Sequence, residues 1–239
     1  MIRYSQISKH VHGLKTEGYT IVPELLDSTL VSKLREEVLQ IICEEAQQPH
    51  FELQQSQIYQ SSQYLRHSYL DKLINSEELL HLASLLYEGK CLRYLQLTSV
   101  KAPGGSMLQY HQDNLKSKFT TAGINFWIAL EDIDEENGCL CLVPGSHKLG
   151  SLEWVPKGDK NKSSTLTWNP DNAVPIRLRG GDCVVFDRLI IHGSLSNRTS
   201  TPRVAYAMTF HLEDVAFFED GEWKPLKTAL LHETKKDTA

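Results

Sequence analysis

Residues 183–212 read CVVFDRLIIHGSLSNRTSTPRVAYAMTFHL, two apolar runs joined by a segment rich in serine, asparagine, threonine and proline. Short apolar or alternating runs separated by turn-forming residues are typical of β-strands. The same texture continues upstream, in runs at 92–100, 107–113, 124–132 and 139–145. Many short strands with frequent turn signals predict a β-sandwich or barrel for this part of the chain.

The chain before these strands follows a helical period. One apolar stripe recurs at three- and four-residue intervals, at Leu25, Leu26, Leu30, Leu34, Val38 and Ile41. Such spacing places the apolar side chains on one face of a helix, which we expect Asp27 or Ser28 to cap. A second helix is predicted from Ser76 to Tyr87, capped by the serine and ended by Gly89.

Length and composition favour one domain. The 239 residues are 41% hydrophobic and 23% charged, with a formal net charge of −5. These values exclude disorder for most of the chain and allow a sizeable core. We therefore predict a single domain over residues 1–239 that is mainly β with flanking α-helices. The helices are expected in about 1–90 and the β core in about 91–215.

The same composition bears on location and partners. Acidic residues outnumber basic ones, 30 to 25, which argues against nucleic acid as a partner. No apolar run approaches the roughly 18 residues that a membrane span needs, and the start of the chain has no apolar signal core. Five cysteines, an odd number, favour a reducing compartment. We expect a cytoplasmic protein with no membrane partner, and the sequence predicts no particular oligomeric state.

The sharpest chemical feature is His111-Gln112-Asp113. Side chains alternate along a strand, so an imidazole and a carboxylate would project from the same face. His192 is the candidate for a third ligand, although a lone histidine is more often a core residue. Two histidines and one carboxylate with open positions are the pattern of non-haem Fe(II) oxygenases.

Arg203 is the first residue of the second apolar run in the segment 183–212. On a strand it would share a face with Ala205, Ala207 and Thr209, leaving empty volume with a guanidinium pointing into it. Such a cation needs an anion, and a carboxylate is the best geometric match. The alternative is an internal salt bridge to Asp182 or Asp187.

A third strand adds candidate cavity residues by the same alternation. In the run from Ile124 to Leu130, Asn125 and Trp127 share a face, while the opposite face is wholly aliphatic or aromatic. We predict that Asn125 and Trp127 line the cavity. The alternative is that Trp127 is an ordinary core aromatic.

With these residues in place, the sequence resembles the phytanoyl-CoA dioxygenase family of Fe(II)- and 2-oxoglutarate-dependent oxygenases. The resembling segments occur in the family's order and span roughly the C-terminal two-thirds of the chain. They are HQD at 111–113, WIALEDIDEENGCLCLVPGSH at 127–147, GD at 181–182 and IHGSLSNRTSTPRVAY at 191–206. The N-terminal helices are compatible with the family but would not identify it.

The resemblance implies a double-stranded β-helix, the cupin-like jelly roll. It also implies that His111, Asp113 and His192 bind Fe(II), and that Arg203 holds the distal carboxylate of 2-oxoglutarate. The main rival for third ligand is His147. In the family's pattern its segment is a recurring turn, so His192 is preferred.

Further cosubstrate contacts follow from the same resemblance. Ser194 and Trp127 match positions that contact 2-oxoglutarate, and Leu97 lies near a further pocket position. The family's cosubstrate-contacting lysine, upstream of the strands, has no match that we can place in this sequence.

The implied reaction uses O2 and 2-oxoglutarate, releases succinate and CO2, and hydroxylates or similarly oxidises a C–H bond. We expect a small-molecule metabolite as substrate. An acyl-CoA is the alternative, for which the available cations are Lys116, Lys118, Lys157, Lys160 and Lys162. Two hypotheses come from other classes: a cupin-type metal-dependent hydrolase or isomerase, and a binding jelly roll without turnover. Arg203 argues against the hydrolase, which needs no carboxylate clamp.

Overall fold

A computed structural model describes residues 6–47, 58–113, 118–121, 123–152, 170–219, 221–226 and 235–236. Four of the lysines considered for an acyl-CoA, at positions 116, 157, 160 and 162, lie outside these ranges. The side chain of Lys118 is likewise outside the description. Within the described residues, no helix is both long and apolar enough to cross a membrane.

Four helices precede the main strands. They are α1 (Ile7–Glu17), α2 (Ser28–Ala46), α3 (Tyr69–Ile74) and α4 (Glu77–Leu86). The Asp27 side chain accepts hydrogen bonds from the first-turn amides of α2, and the Ser76 side chain does the same for α4. Both caps satisfy amides that would otherwise lack partners, so both predicted helices are confirmed.

The strands are short, apart from two. They are β1 (Tyr19–Val22), β2 (Ile58–Tyr59), β3 (Tyr64–Leu65), β4 (Cys91–Lys101), β5 (Leu108–His111), β6 (Lys118–Phe119), β7 (Ile124–Ala129), β8 (Leu140–Leu142), β9 (Val174–Pro175), β10 (Cys183–Asp187), β11 (His192–Ser194), β12 (Arg203–Leu212), β13 (Ala216–Glu219), β14 (Glu222–Pro225) and β15 (Lys235–Lys236). A 3₁₀ turn at Ser146–Leu149 follows β8.

Two antiparallel sheets enclose the site. The larger has the order β1-β10-β7-β12-β4-β2, and the smaller has the order β5-β11-β8-β9. Neighbours in space are mostly distant in sequence, as the crossing connections of a jelly roll require. Apolar side chains of both sheets, such as Val184 of the larger and Leu142 of the smaller, share one core cluster. The predicted jelly-roll fold is confirmed.

Strand alternation assigns the two faces of the larger sheet. On β12, Val204, Tyr206 and Phe210 belong to the core shared with the helices, whereas Ala205 belongs to the core between the sheets. The bulky face of the strand therefore packs against the helices. The small face is left to line the space that holds the polar residues.

Candidate active site

Two strands of the smaller sheet bring the two histidines together. His192 begins β11 and is the register partner of His111, which ends β5. The following residue, Gly193, lets these strands approach, because a Cβ there would lie 2.7 Å from the Leu108 carbonyl oxygen. The ring centroids of the two histidines are 4.3 Å apart.

Asp113 completes a three-residue cluster. Its Oδ1 lies 3.6 Å from Nε2 of His111 and 3.6 Å from Nε2 of His192. The three potential ligand atoms all lie within 4.8 Å of one another. In the part of the chain that the structure describes, no other group of three histidine, cysteine or acidic side chains is placed to hold a metal.

The route by which Asp113 reaches the cluster differs from the prediction. The strand β5 ends at His111, so Asp113 lies in a turn and not on a strand. Buried Gln112 donates from its amide nitrogen to the carbonyl oxygens of Gly150 and Leu189. This anchoring of Gln112 away from the cluster leaves the side chains on either side of it facing the same centre.

Backbone carbonyls fix the tautomers of both imidazoles. Nδ1 of His111 lies 2.8 Å from the Gln109 carbonyl oxygen, and Nδ1 of His192 lies 3.1 Å from that of Ile190. A carbonyl can only accept, so each Nδ1 carries a proton, and Nε2 is the nitrogen that each ring turns to the centre. Burial lowers the pKa of His192 to about 4, with His111 acting in the same direction, so His192 is neutral at pH 7.

The carboxylate of Asp113 is held in its charged form. Burial acts to raise its pKa, but His192, His111, Arg188 and a hydrogen bond from Asn125 together keep the pKa below its ordinary value. Two imidazoles and one carboxylate form a donor set that suits a divalent first-row metal. The residues present therefore fit a metal site.

The cluster opens into a cavity of about 140 Å³ between the sheets. Each residue that the sequence assigned to the site lines this cavity: Leu97, His111, Asp113, Asn125, Trp127, His192, Ser194 and Arg203. The tryptophan is only 4% exposed, so it is also part of the core between the sheets. Both interpretations of that residue hold at once.

Arg203 is buried in the cavity wall, and among the described residues no acidic side chain forms an ion pair with it. It is 1% exposed, and its guanidinium donates to the carbonyl and hydroxyl oxygens of Ser99 at 3.0 and 3.2 Å. The guanidinium carbon lies 5.1 Å from the ring centroid of Trp127, and within the described part of the chain the buried Nε has no hydrogen-bond partner. The Asp182 and Asp187 carboxylates instead accept backbone amides. The alternative of an internal salt bridge to either of them is wrong.

Sequence reasoning missed Lys101, which contacts the cavity residue Ser194. Lys101 ends β4 as the register partner of Arg203 and is fully buried. Its Nζ donates to Oγ of Ser194 at 2.8 Å and to the carbonyl oxygen of Leu195. Lys101 and Leu97 share one face of β4, because they are four residues apart on a strand. This alternation was visible in the sequence.

Arg188 is a second missed residue. Its guanidinium lies 5.5 and 5.7 Å from the ring centroids of Tyr94 and Phe119 and lines the cavity. It donates to the Asp113 carbonyl oxygen and contacts Nε2 of His211, both at 3.1 Å. No sequence motif pointed to it, because its partners come from distant strands.

His147 lies away from the cluster. Its Nε2 is 3.3 Å from the Lys15 carbonyl oxygen, on α1. Its ring would collide with any side chain at Gly18, the residue after that helix. The structure therefore supports the preference for His192 over His147 as the third member of the cluster.

Comparisons with known proteins agree with this picture. A family model described as Phytanoyl-CoA dioxygenase (PhyH) matches residues 14–205. The chain is 32% identical over 128 residues to Phytanoyl-CoA dioxygenase 1 of Oryza sativa subsp. japonica, covering 52% of this chain and 44% of that protein. It is 28% identical over 151 residues to the 2-aminoethylphosphonate dioxygenase of Uncultured bacterium HF130_AEPn_1, covering 61% and 55%. The chain thus spans less than two-thirds of the length of these relatives.

Solved structures share the fold over nearly the whole chain. One is the epimerase SnoN in complex with Fe3+, alpha ketoglutarate and nogalamycin RO, with a TM-score of 0.67, 18% identity and 94% of each chain covered. Another is EvdO2 from Micromonospora carbonacea var. aurantiaca complexed with 2-oxoglutarate, with a TM-score of 0.70 and 20% identity, covering 94% of this chain and 96% of that one.

Proposed function

Because the chain belongs to the phytanoyl-CoA dioxygenase family, we propose that it is an Fe(II)- and 2-oxoglutarate-dependent dioxygenase. It would hydroxylate, or similarly oxidise, a C–H bond of a small-molecule metabolite and release succinate and CO2. The observation that carries this proposal is one cavity with a His111-Asp113-His192 cluster and the buried cation Arg203 in its wall.

The cluster would hold the iron. Both imidazoles present Nε2 because their Nδ1 atoms are bonded to backbone carbonyls, and this arrangement is common at metal-binding histidines. When bound, ferrous iron together with 2-oxoglutarate supplies the activation of dioxygen. The role of the three side chains is to hold the ion and to leave positions open for the cosubstrate.

The cavity wall would hold 2-oxoglutarate. A planar guanidinium binds a carboxylate with two parallel hydrogen bonds, and burial strengthens such a pair. Arg203 would bind the distal carboxylate, with the hydroxyl of Ser194 beside it and the Trp127 ring against the guanidinium. Leu97 would contact the carbon chain.

The substrate class is proposed from the size of the cavity. A cavity of about 140 Å³ among the described residues favours a small molecule once the cosubstrate is bound. The names of relatives include both an acyl-CoA dioxygenase and a phosphonate dioxygenase. A metabolite panel that includes acyl-CoA thioesters separates these alternatives, since succinate release with thioesters alone would overturn our preference.

The function itself is tested with purified protein. Added anaerobically, Fe(II) and 2-oxoglutarate should give the visible charge-transfer band of a chelated 2-oxo acid, and admission of O2 with ascorbate should give slow succinate release. Asp113→Ala should abolish both signals, because the cluster loses its charged ligand. Absence of both signals in the wild type, with Zn²⁺-dependent hydrolysis instead, would favour the hydrolase.

A further inference from the structure

We propose that Asn125, oriented by Thr209, is a positioning residue that makes Asp113 offer a single oxygen to the metal. This inference rests on the proposed metal site and concerns how the carboxylate is held. Asn125 was expected from sequence only to line the cavity.

The two residues form a buried chain of hydrogen bonds that ends on the carboxylate. Thr209 on β12 is the register partner of Asn125 on β7, and the two are 7% and 6% exposed. Oγ1 of Thr209 donates to Oδ1 of Asn125 at 2.7 Å. Nδ2 of Asn125 in turn donates to Oδ2 of Asp113.

The orientation of the amide follows from its two neighbours. If the amide were flipped, its oxygen would face the carboxylate oxygen, and two acceptors would lie in contact. Nδ2 must therefore face Asp113, and Oδ1 must face Thr209. The threonine hydroxyl then acts as the donor that holds this orientation.

These two hydrogen bonds give the two carboxylate oxygens of Asp113 different roles. Oδ1 is the oxygen that lies 3.6 Å from each imidazole nitrogen, while Oδ2 is engaged by the amide. A carboxylate that used both oxygens would occupy one more position on the ion. With one oxygen from Asp113, an octahedral ion keeps three positions open. Those positions would be left for a chelating 2-oxo acid and dioxygen.

The backbone of Asp113 is held by Arg188, independently of Asn125. Its amide donates to the Arg188 carbonyl oxygen, and its carbonyl oxygen accepts from the Arg188 guanidinium, both at 3.1 Å. Loss of Asn125 would therefore free the rotation of the carboxylate without releasing the turn. This separation makes a specific effect on metal binding measurable.

The test is Co²⁺ binding to the metal-free full chain, by calorimetry and visible absorption. Asn125→Leu should weaken Co²⁺ binding about 10–100-fold, the usual effect of losing a group that orients a ligand. Thr209→Val, which keeps the shape of the side chain, should weaken it less. The double variant should match Asn125→Leu, because Thr209 acts only through the amide. Both variants should alter the Co²⁺ spectrum as the carboxylate changes its binding mode.

Met208→Leu is the matched control, since its side chain lies on the opposite face of the same strand. Wild-type Co²⁺ affinity and spectrum in both Asn125→Leu and Thr209→Val would overturn the proposal, as would additive losses in the double variant. If Asn125→Leu does not fold, Thr209→Val alone still decides it through affinity and spectrum. A wild type that binds Co²⁺ through Asp113 but never consumes 2-oxoglutarate would refute the proposed function alone. A wild type without Co²⁺ binding would refute both.

Discussion

At the scale of single residues, the notable feature is a pair of buried cations. Arg203 and Lys101 are register partners on adjacent strands, and both are almost fully buried. Among the described residues, no carboxylate lies within ion-pair distance of either. Burying unpaired charge is costly, so such a pair persists where an anion is to be bound. A dicarboxylic cosubstrate would supply that anion.

Arg203→Ala should weaken 2-oxoglutarate binding strongly. Truncating one member of a buried charged pair costs about 2–5 kcal/mol, which raises Kd more than tenfold. The measurement is titration of the anaerobic Fe(II) protein with 2-oxoglutarate. Arg177→Ala, which removes an exposed partner of Glu135, is the control and should leave Kd unchanged. An unchanged Kd in Arg203→Ala would assign the arginine to structure.

Lys101 should make cosubstrate binding depend on pH. Burial, with Arg203 acting in the same direction, lowers the pKa of Lys101 to about 7. In the cosubstrate-free protein, the ammonium is therefore lost as the pH rises through about 7. Because a bound dicarboxylate favours the charged form, 2-oxoglutarate affinity should fall between about pH 7 and pH 9.

Lys101→Met is the matching variant. It should bind 2-oxoglutarate more weakly at pH 6.5 and lack most of the decrease at higher pH. Ser194→Ala keeps the lysine and should keep the pH dependence. A wild-type profile as flat as that of Lys101→Met would show that Lys101 does not act on the cosubstrate.

At the scale of elements, the central strand β12 contributes side chains both to the cavity and to the core shared with the helices. On β12, Ala207 lines the cavity beside its register partner Trp127, while Met208 packs into the core shared with the helices. Because side chains alternate along a strand, the residues of β12 that line the cavity are not the ones that pack the core. The small side chains on the cavity face are what leave the space open.

Neighbouring substitutions on β12 should therefore have opposite effects. Ala207→Leu should fill the cavity and suppress 2-oxoglutarate binding, with little loss of unfolding free energy. Met208→Ala should lower the unfolding free energy by about 2–5 kcal/mol while the folded protein keeps its affinity. Urea unfolding and 2-oxoglutarate titration of both variants test this. Equal effects of the two on both measurements would contradict the assignment of faces.

At the scale of the whole molecule, the helices and the smaller sheet cover opposite faces of the larger sheet. Burial in this arrangement lowers the pKa of histidines such as His192 and His211. Burial lowers the pKa of His211 to about 3, and the neighbouring Arg188 acts in the same direction. The folded protein therefore binds a proton at His211 much less readily than the unfolded chain does.

Acid should consequently destabilise the metal-free protein. Between about pH 6.5 and pH 3, the unfolded state binds more protons than the folded state, so the unfolding free energy falls as the pH falls. Urea unfolding at pH 7.5 and pH 5 measures the loss. His211→Gln, which keeps an acceptor for Arg188, should show a smaller loss. An equal loss in that variant would show that His211 does not contribute.

Several results were fixed locally, by residues close together in the chain. The caps of α2 and α4 were predictable because the capping side chain and its amides lie within a few residues. The two faces of β7 and β12 were predictable because alternation along a strand has a period of two. The family motifs pointed to the other cavity residues that were predicted, His111, Asp113, Trp127, His192, Ser194 and Arg203, because each motif is a continuous segment.

Other features were decided by which distant strands lie side by side. Lys101 meets Ser194 across the two sheets, and Asn125 meets Asp113 from a strand into a turn. The turn itself replaced the strand that the sequence predicted, because Gln112 is bonded to residues far along the chain. By itself, therefore, the sequence determined the side-chain types, their faces and the family. Only the tertiary structure decided their partners, because a hydrogen bond depends on the order and register of strands, which no local pattern specifies.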